Sequence, residues 1–505
     1  MRSFVRLLLA LAFVSLALLL LHAPFLRLPY FWDEAGYYVP AALDFYRHGW
    51  WIPRSTLPTG HTPLVMVYLG MVWRLAGASI LAARAAMLLV AAATVVTTFR
   101  LARVMANREV AAWSAACLAL SPLFFAQSSL VLLDLPAALF TTLAMLTLLK
   151  DRGGWFAVSA SLAVLTKETA AVLLPVAWAF ACFRRHERRL GGWAAMVVPL
   201  VPLAVWAAYY HHQTGYWTGN ASYLQYNLYS AMTPLHILRS FVARLDEVFL
   251  GGFNFVFVAG ALGAGWWRQK RRQPLGPMNV LLLFRDFAFL AAGLIGAYVL
   301  MLSLVGGAAL ARYLLPIFPL FFVGVVALIF EFPKPRARAI CAVGATCLAW
   351  GWFLNPPYPF PYENNLAYAD FVRLHQRAAR DLESMPGQPR ILTAWPATDE
   401  LSEPSLGYVG RALRVDSIPG FAACDFDAVP PFDLLYIYSR KWEPPGNLLS
   451  RFGTESAFVR RFYNYSPQVP EAVLIRRYRL ILLKDYRRGG QWARIYRRQS
   501  VDRGR

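Results

Sequence analysis

The chain has 505 residues, of which 58% are hydrophobic and 15% charged, and it carries a formal net charge of +22. It is too apolar for an ordinary soluble protein and too long for one small domain. The basic residues fall in short clusters between apolar runs, the pattern of a polytopic membrane protein's cytoplasmic loops, which argues against a nucleic-acid partner.

The start, MRSFVR followed by LLLALAFVSLALLLL, has the charge and apolar core of a signal peptide. It lacks a small-x-small cleavage site, and apolar character continues through Phe25 and Leu28, so a retained first span over 6–28 is predicted. Further spans are predicted at 84–104, 109–128, 135–150, 154–166, 169–184, 192–210, 247–267, 286–306, 313–331 and 338–354. The stretch HTPLVMVYLGMVWRLAG (61–77) decides the orientation. If it crossed, the basic clusters at 101–109, 150–154, 183–189, 268–273 and 333–338 would all face outward; laid in the interface as an amphipathic helix, it leaves them inside with MRSFVR. The second arrangement is the expectation: eleven spans, N-terminus cytoplasmic, C-terminal part extracytoplasmic.

That topology gathers charged groups on the outer side. Residues 29–83, a first outer loop with interfacial helices, carry Asp33 and Glu34 in the setting PYFWDEAGYY; later outer segments bring Asp134, Lys167, Glu168 and Arg312. Charge at a bilayer boundary is expensive unless it is used, so their convergence predicts a site. After a Pro/Asn-rich linker at 355–365, strands are predicted at 390–395, 412–418, 432–439 and 478–483, with a helical pattern over 368–385. The expected fold class is a polytopic α-helical membrane module, 1–354, followed by a soluble extracytoplasmic α/β domain, 355–505. The Arg-rich tail RRGGQWARIYRR reads as a solvated or lipid-facing surface. Four of the five cysteines lie in apolar runs and Cys424 alone in the polar part, so neither a disulfide framework nor a zinc site is indicated.

WDEAGYY, HTPLVMVYL, LDLPAALF (133–140), LTKETAAVLLP (165–175) and ARYLLPIFP (311–319) occur in register on the expected outer side. Together they resemble the polyprenyl-phosphate-sugar-dependent membrane glycosyltransferases of the C-type fold, which include protein O-mannosyltransferases and the aminoarabinose transferases of lipid A. The resemblance covers roughly residues 1 to 350. It implies that Asp33, with Glu34 as the alternative carboxylate, is a general base that deprotonates an acceptor hydroxyl as it attacks the anomeric carbon, inverting that centre. It also implies that Asp134 positions acceptor or loop, or binds a metal. Read from the residues alone, Asp33 or Glu34 could instead cap the following helix, and Asp134 could cap the helix that Pro136 begins.

A lipid phosphate needs donors where water is scarce, and His61, Lys167, Arg312 and Tyr313 are the available groups. The resemblance matches Lys167 to the family's LTK motif and Tyr313 to a donor-phosphate tyrosine before Leu-Pro. The alternative for Lys167 and Arg312 is an anchor that snorkels to the interface. His61 departs from the family: Gly60-His61-Thr62-Pro63-Leu64 stands where the lipid A enzymes have a Lys before Pro-Pro-Leu. The acidic residue before that Lys, a metal ligand in that branch, is also missing. No cofactor is assigned, and a divalent metal stays an option, with His211 and His212 the nearest candidates. The aromatic loop 211–229 could stack on sugars or form an interfacial belt. Asn220 and Asn464 begin N-x-Ser sequons, and the preference for Arg over Lys points to a GC-rich bacterium.

The expected partners are therefore a polyprenyl-phosphate-linked sugar, an acceptor that is a lipid, glycan or protein, and the bacterial cytoplasmic membrane. The rival reading is a transporter or flippase of a lipid-linked sugar; it predicts ionisable groups near mid-span and internal symmetry, and the charges here lie at one side without a repeat.

Overall fold

The computed structural model describes residues 2–184, 194–221, 224–225, 232–271, 278–305, 310–354, 362–440 and 467–499. Asn464, much of the aromatic loop beyond 221 and most of the linker lie outside these. The chain forms two compact units, one of residues 1–24, 41–78 and 82–353, the other of residues 25–40, 79–81 and 354–505.

The first unit is helical. Among the described residues, six helices are long and apolar enough to cross a membrane: Phe4–His22, Ile80–Met105, Ala194–Thr214, Pro234–Arg271, Leu282–Val305 and Ala311–Ile329. Shorter apolar helices run over Leu64–Ala76, Asp134–Leu149, Gly153–Thr166 and Glu168–Phe183. Several differ from the expected spans for local reasons. The 109–128 segment is two helices, Arg108–Leu120 and Pro122–Gln127, because the Ser121 side chain caps the second by accepting from Phe124 N and Pro122 opens it. The span expected at 247–267 begins inside Pro234–Phe249, the first part of the long helix Pro234–Arg271, which kinks at Gly252 (φ 56°) before continuing as Asn254–Arg271. The helix Lys334–Gly351, overlapping the last expected span, has Lys334, Arg336 and Arg338 near its start and is not among the six.

Asp134–Leu149 packs along Gly153–Thr166 and against the 3-10 segment Ala311–Ile317. Its Leu135, Leu139, Met145 and Leu149 are buried. Each such side chain contributes about 1.5–3 kcal/mol on burial in water, and less where lipid is the alternative surround. This packing fixes the ends of three segments against one another, which matters for the charges they carry.

The second unit contains a five-stranded sheet among the described residues: β1 (Ile391–Ala394), β2 (Val415–Ile418), β3 (Leu434–Tyr438), β4 (Leu480–Arg488) and β5 (Gln491–Arg498), in the order β2-β1-β3-β5-β4. β1 is parallel to β2 and β3, and β5 runs antiparallel to β3 and β4. Strands were expected at the first four positions. The Arg-rich tail, read as a surface, is instead β5, an interior strand with Ala493, Ile495 and Tyr496 buried. Gly489 (φ 57°) and Gly490 (φ 84°) supply the two left-handed residues of a tight hairpin; Arg494 lies between the buried Ala493 and Ile495, and Arg497 and Arg498 are exposed at the end of the strand. The helix Tyr368–Glu383 buries Phe371, Leu374, His375, Ala378 and Leu382. Its rim is fixed by Arg488 to Asp370 at 2.5 Å and by a hydrogen bond from the Tyr486 hydroxyl to Asp381.

Candidate active site

In the helical unit, Asp134 is the first residue of its helix, with Leu133 at the capping position and no side-chain cap. Its carboxylate is used otherwise. Lys167 Nζ donates to Oδ1 at 2.6 Å, and Arg312 Nε lies 3.4 Å from Oδ2. The Lys167 ammonium sits 3.8 Å from the centroid of the Tyr313 ring, and the Arg312 guanidinium 5.4 Å from it. Asp134, Lys167 and Arg312 are 3%, 5% and 1% exposed, so neither cation snorkels to a surface. Two adjacent buried cations would repel by about 4 kcal/mol at 4 Å in a medium of effective dielectric 20, and Asp134 offsets that.

Local backbone explains the meeting. Lys167 is extended (φ −154°, ψ 126°) between the helix ending at Thr166 and the 3-10 turn Glu168–Val172. Lys167 reaches Asp134, whereas the Glu168 carboxylate holds His61 Nδ1 at 2.9 and 3.1 Å. The surroundings of Glu168 disfavour its charged form, but the adjacent His61 outweighs them and holds the carboxyl down at about 2.

The loop bearing His61 is clamped from outside. Trp206 Nε1 donates to Gly60 O at 3.3 Å, and the Tyr210 hydroxyl lies 3.2 Å from Pro58 O and 2.7 Å from Gly219 O. Gly60 has φ 78°, and a Cβ there would come within 2.1 Å of Gly219 N, so only glycine fits. The sequon residue Asn220 turns its amide to Pro58 O at 3.4 Å. His211 stacks on Trp217 with ring centroids 4.2 Å apart. Among the described residues, no group of three or more His, Cys, Asp or Glu is placed to hold a metal ion.

Two buried arginines escaped the sequence analysis. Arg244, on Pro234–Phe249, donates from Nε to Ser240 Oγ at 3.3 Å and lies within electrostatic reach of Tyr313 and Glu247. Arg84 donates to Ser129 O at 2.8 Å, five residues before Asp134. For Arg244 a signal was present: Ser240, Arg244 and Val248 form one buried stripe, so a charge occupies an inward helical position.

Asp33 and Glu34 belong to the second unit. Trp32 adopts φ 45°, a left-handed conformation that costs a bulky residue about 1–3 kcal/mol. A π-helical turn over Glu34–Tyr38 follows, a local irregularity often found at functional sites. Glu34 is fully buried, and its Oε2 accepts from Phe31 N at 2.8 Å, so it ties the turn back on itself. Asp33, half-buried, makes no side-chain capping bond, which removes the capping alternative for it.

Taken with the two-unit architecture, these features define a polytopic membrane protein of the C-type glycosyltransferase fold with a C-terminal α/β domain. Residues 60–210 match the family described as dolichyl-phosphate-mannose-protein mannosyltransferase. Among solved structures, the chain is similar to ArnT from Cupriavidus metallidurans bound to undecaprenyl phosphate, with a TM-score of 0.59, 13% identity and 97% of each chain covered. The apo form of that ArnT matches with a TM-score of 0.56, 14% identity and 98% of each chain covered. No curated protein matches the chain in sequence. The resemblance to polyprenyl-phosphate-dependent C-type glycosyltransferases, read from five short motifs, is borne out.

Proposed function

We propose that the protein is an integral-membrane glycosyltransferase that moves a sugar from a polyprenyl phosphate to an acceptor hydroxyl, with inversion, at the outer face of the bacterial cytoplasmic membrane. The observation that carries this reading is the buried cluster of Asp134, Lys167, Arg312 and Tyr313. Cations are buried at such expense where an anion must be held out of water. The donor's sugar phosphodiester carries one negative charge; when the C1–O bond breaks, its electron pair leaves with the phosphate, which becomes a monoester of higher charge. Lys167, Arg312 and, through its ring nitrogen, His61 would therefore bind the leaving phosphate more strongly than the donor, which is what lowers a barrier. Tyr313 would supply a hydroxyl donor, and Arg244 a further cation.

Asp33 would take the acceptor's proton as its oxygen attacks C1, and Glu34 would hold the turn that presents it. Asp134 would keep Lys167 and Arg312 together before the phosphate arrives. No step is assigned to a metal. The acceptor is a lipid, glycan or protein hydroxyl, and the C-terminal domain would be extracytoplasmic.

The test is mass spectrometry of prenyl-phosphate lipids and surface glycans in the native host lacking this gene, rescued with wild type, Asp33→Asn or Lys167→Ala. Accumulation of one prenyl-phosphate sugar and loss of one glycan modification are expected in the null and in both variants. Full rescue by both variants at equal abundance would sink the transferase reading and favour transport.

A further inference from the structure

The second unit joins residues 354–505 to residues 25–40, which carry Asp33 and Glu34. The acidic segment is part of that unit's core. Tyr30, Phe31 and Ala35 are buried; Tyr30 N donates to Leu406 O at 3.2 Å, and the Tyr408 hydroxyl donates to Tyr30 O at 3.0 Å. The Phe31 ring packs on Tyr368 and Phe371, with centroids 5.6 and 5.7 Å away. Trp395, at the end of β1, touches the acidic turn on both sides of Asp33. Its ring is 5.0 Å from Trp32 and 5.6 Å from Tyr37, and a Cβ on Gly36 would meet its indole at 2.6 Å.

Trp395 is itself braced from the sheet. The Tyr438 hydroxyl of β3 donates to Ala394 O at 2.9 Å and accepts from Ala397 N at 3.4 Å. The helix Ala397–Ser402 is pinned by a buried contact of 2.6 Å between Glu400 Oε2 and His375 Nδ1 of the helix Tyr368–Glu383. Beyond Trp395, the Arg440 guanidinium lies 5.9 Å from the ring centroid. The left-handed backbone of Trp32 persists because Phe371, 5.5 Å away, and Trp395 fix its ring. Releasing the ring would let φ relax to negative values and swing the next residue, Asp33.

We infer that the C-terminal α/β unit is a positioning scaffold for the reaction, and that Trp395 is the positioning residue that holds Asp33 in the geometry of a base. This rests on the reading of Asp33 as the base.

Purified full-length Trp395→Ala, Trp395→Phe, Gly36→Ala and the Gly36→Ala/Trp395→Ala double variant, with Asp33→Asn as reference, are added to membranes of the deletion host, which hold donor and acceptor. Product formation is followed by mass spectrometry, and affinity is titrated in parallel with undecaprenyl phosphate. Trp395→Ala is expected to slow turnover about 30-fold, as a misplaced base does, with affinity for undecaprenyl phosphate changed less than about twofold. Trp395→Phe, which keeps an aromatic brace, is expected to recover turnover to within about threefold. Gly36→Ala should slow turnover about tenfold alone and add less than about twofold in the Trp395→Ala background, where the indole no longer fills the space. If Trp395→Ala does not accumulate folded, Gly36→Ala and Trp395→Phe carry the test. With Asp33→Asn inactive, wild-type turnover in folded Trp395→Ala, or a parallel loss of undecaprenyl phosphate affinity, overturns the inference alone. Full turnover by Asp33→Asn overturns the reading of Asp33 itself.

Discussion

The two units set the segments that carry their acidic groups by different means. In the helical unit Asp134 is placed by charge, 2.6 Å from Lys167 and 3.4 Å from Arg312, with little freedom left to any of the three. In the α/β unit the turn that carries Asp33 is shaped by packing: Trp32, with its strained φ, and Gly36 are pressed against Trp395. Charge pairing suits groups that must hand over to an anionic ligand, since a phosphate can replace the carboxylate.

Variants that strike one device and spare the other test that contrast. The largest effect is expected from Lys167→Ala, which leaves Asp134 buried with half its compensation; stability should fall by about 3–5 kcal/mol in chemical unfolding. Asp134→Asn, retaining an acceptor for Lys167, should fall less. Next comes Gly60→Ala: its strained φ and the 2.1 Å approach to Gly219 N predict a loss of about 2 kcal/mol and displacement of His61, read as a lower Tm and weaker undecaprenyl phosphate binding.

Asp399 gives a pH-dependent prediction in the other unit. Burial pushes its carboxyl up to about 6, so its destabilising influence is absent below an unfolded-state value of about 4 and develops as pH rises through 6. Asp399→Asn should therefore match wild type in Tm at pH 4 and exceed it at pH 8, by the equivalent of about 2 kcal/mol. At the small end, the surface pair of Arg487 and Asp485, 2.9 Å apart, should give no measurable change on Arg487→Ala.

Much of the first unit's chemistry was legible because polar residues at the borders of apolar runs stand out. Asp134, Lys167, Arg312 and Tyr313 were each named from short motifs, and the structure joins them. The pairing of Glu168 with His61 was not legible: it depends on the extended backbone at Lys167, which sends consecutive side chains to different partners. Arg244 is hidden from the sequence because most of its helix, Pro234–Phe249, falls between the spans expected at 192–210 and 247–267. β5 was missed because Arg494, Arg497 and Arg498 make its eight residues look solvated, although Ala493, Ile495 and Tyr496 are buried where the strand pairs with β3. The burial of Tyr30 and Phe31 in the second unit, more than 300 residues away along the chain, is a tertiary fact with no local signal.

The central claim is that the buried cations of the helical unit hold a lipid phosphate. The most direct measurement is titration of undecaprenyl phosphate into the purified chain, comparing wild type with Lys167→Met and Arg312→Met, each checked for folding. Saturable binding is expected, weakened about 30-fold or more by either substitution, the scale of a lost charge-assisted contact. Equal affinity in all three folded proteins would contradict it.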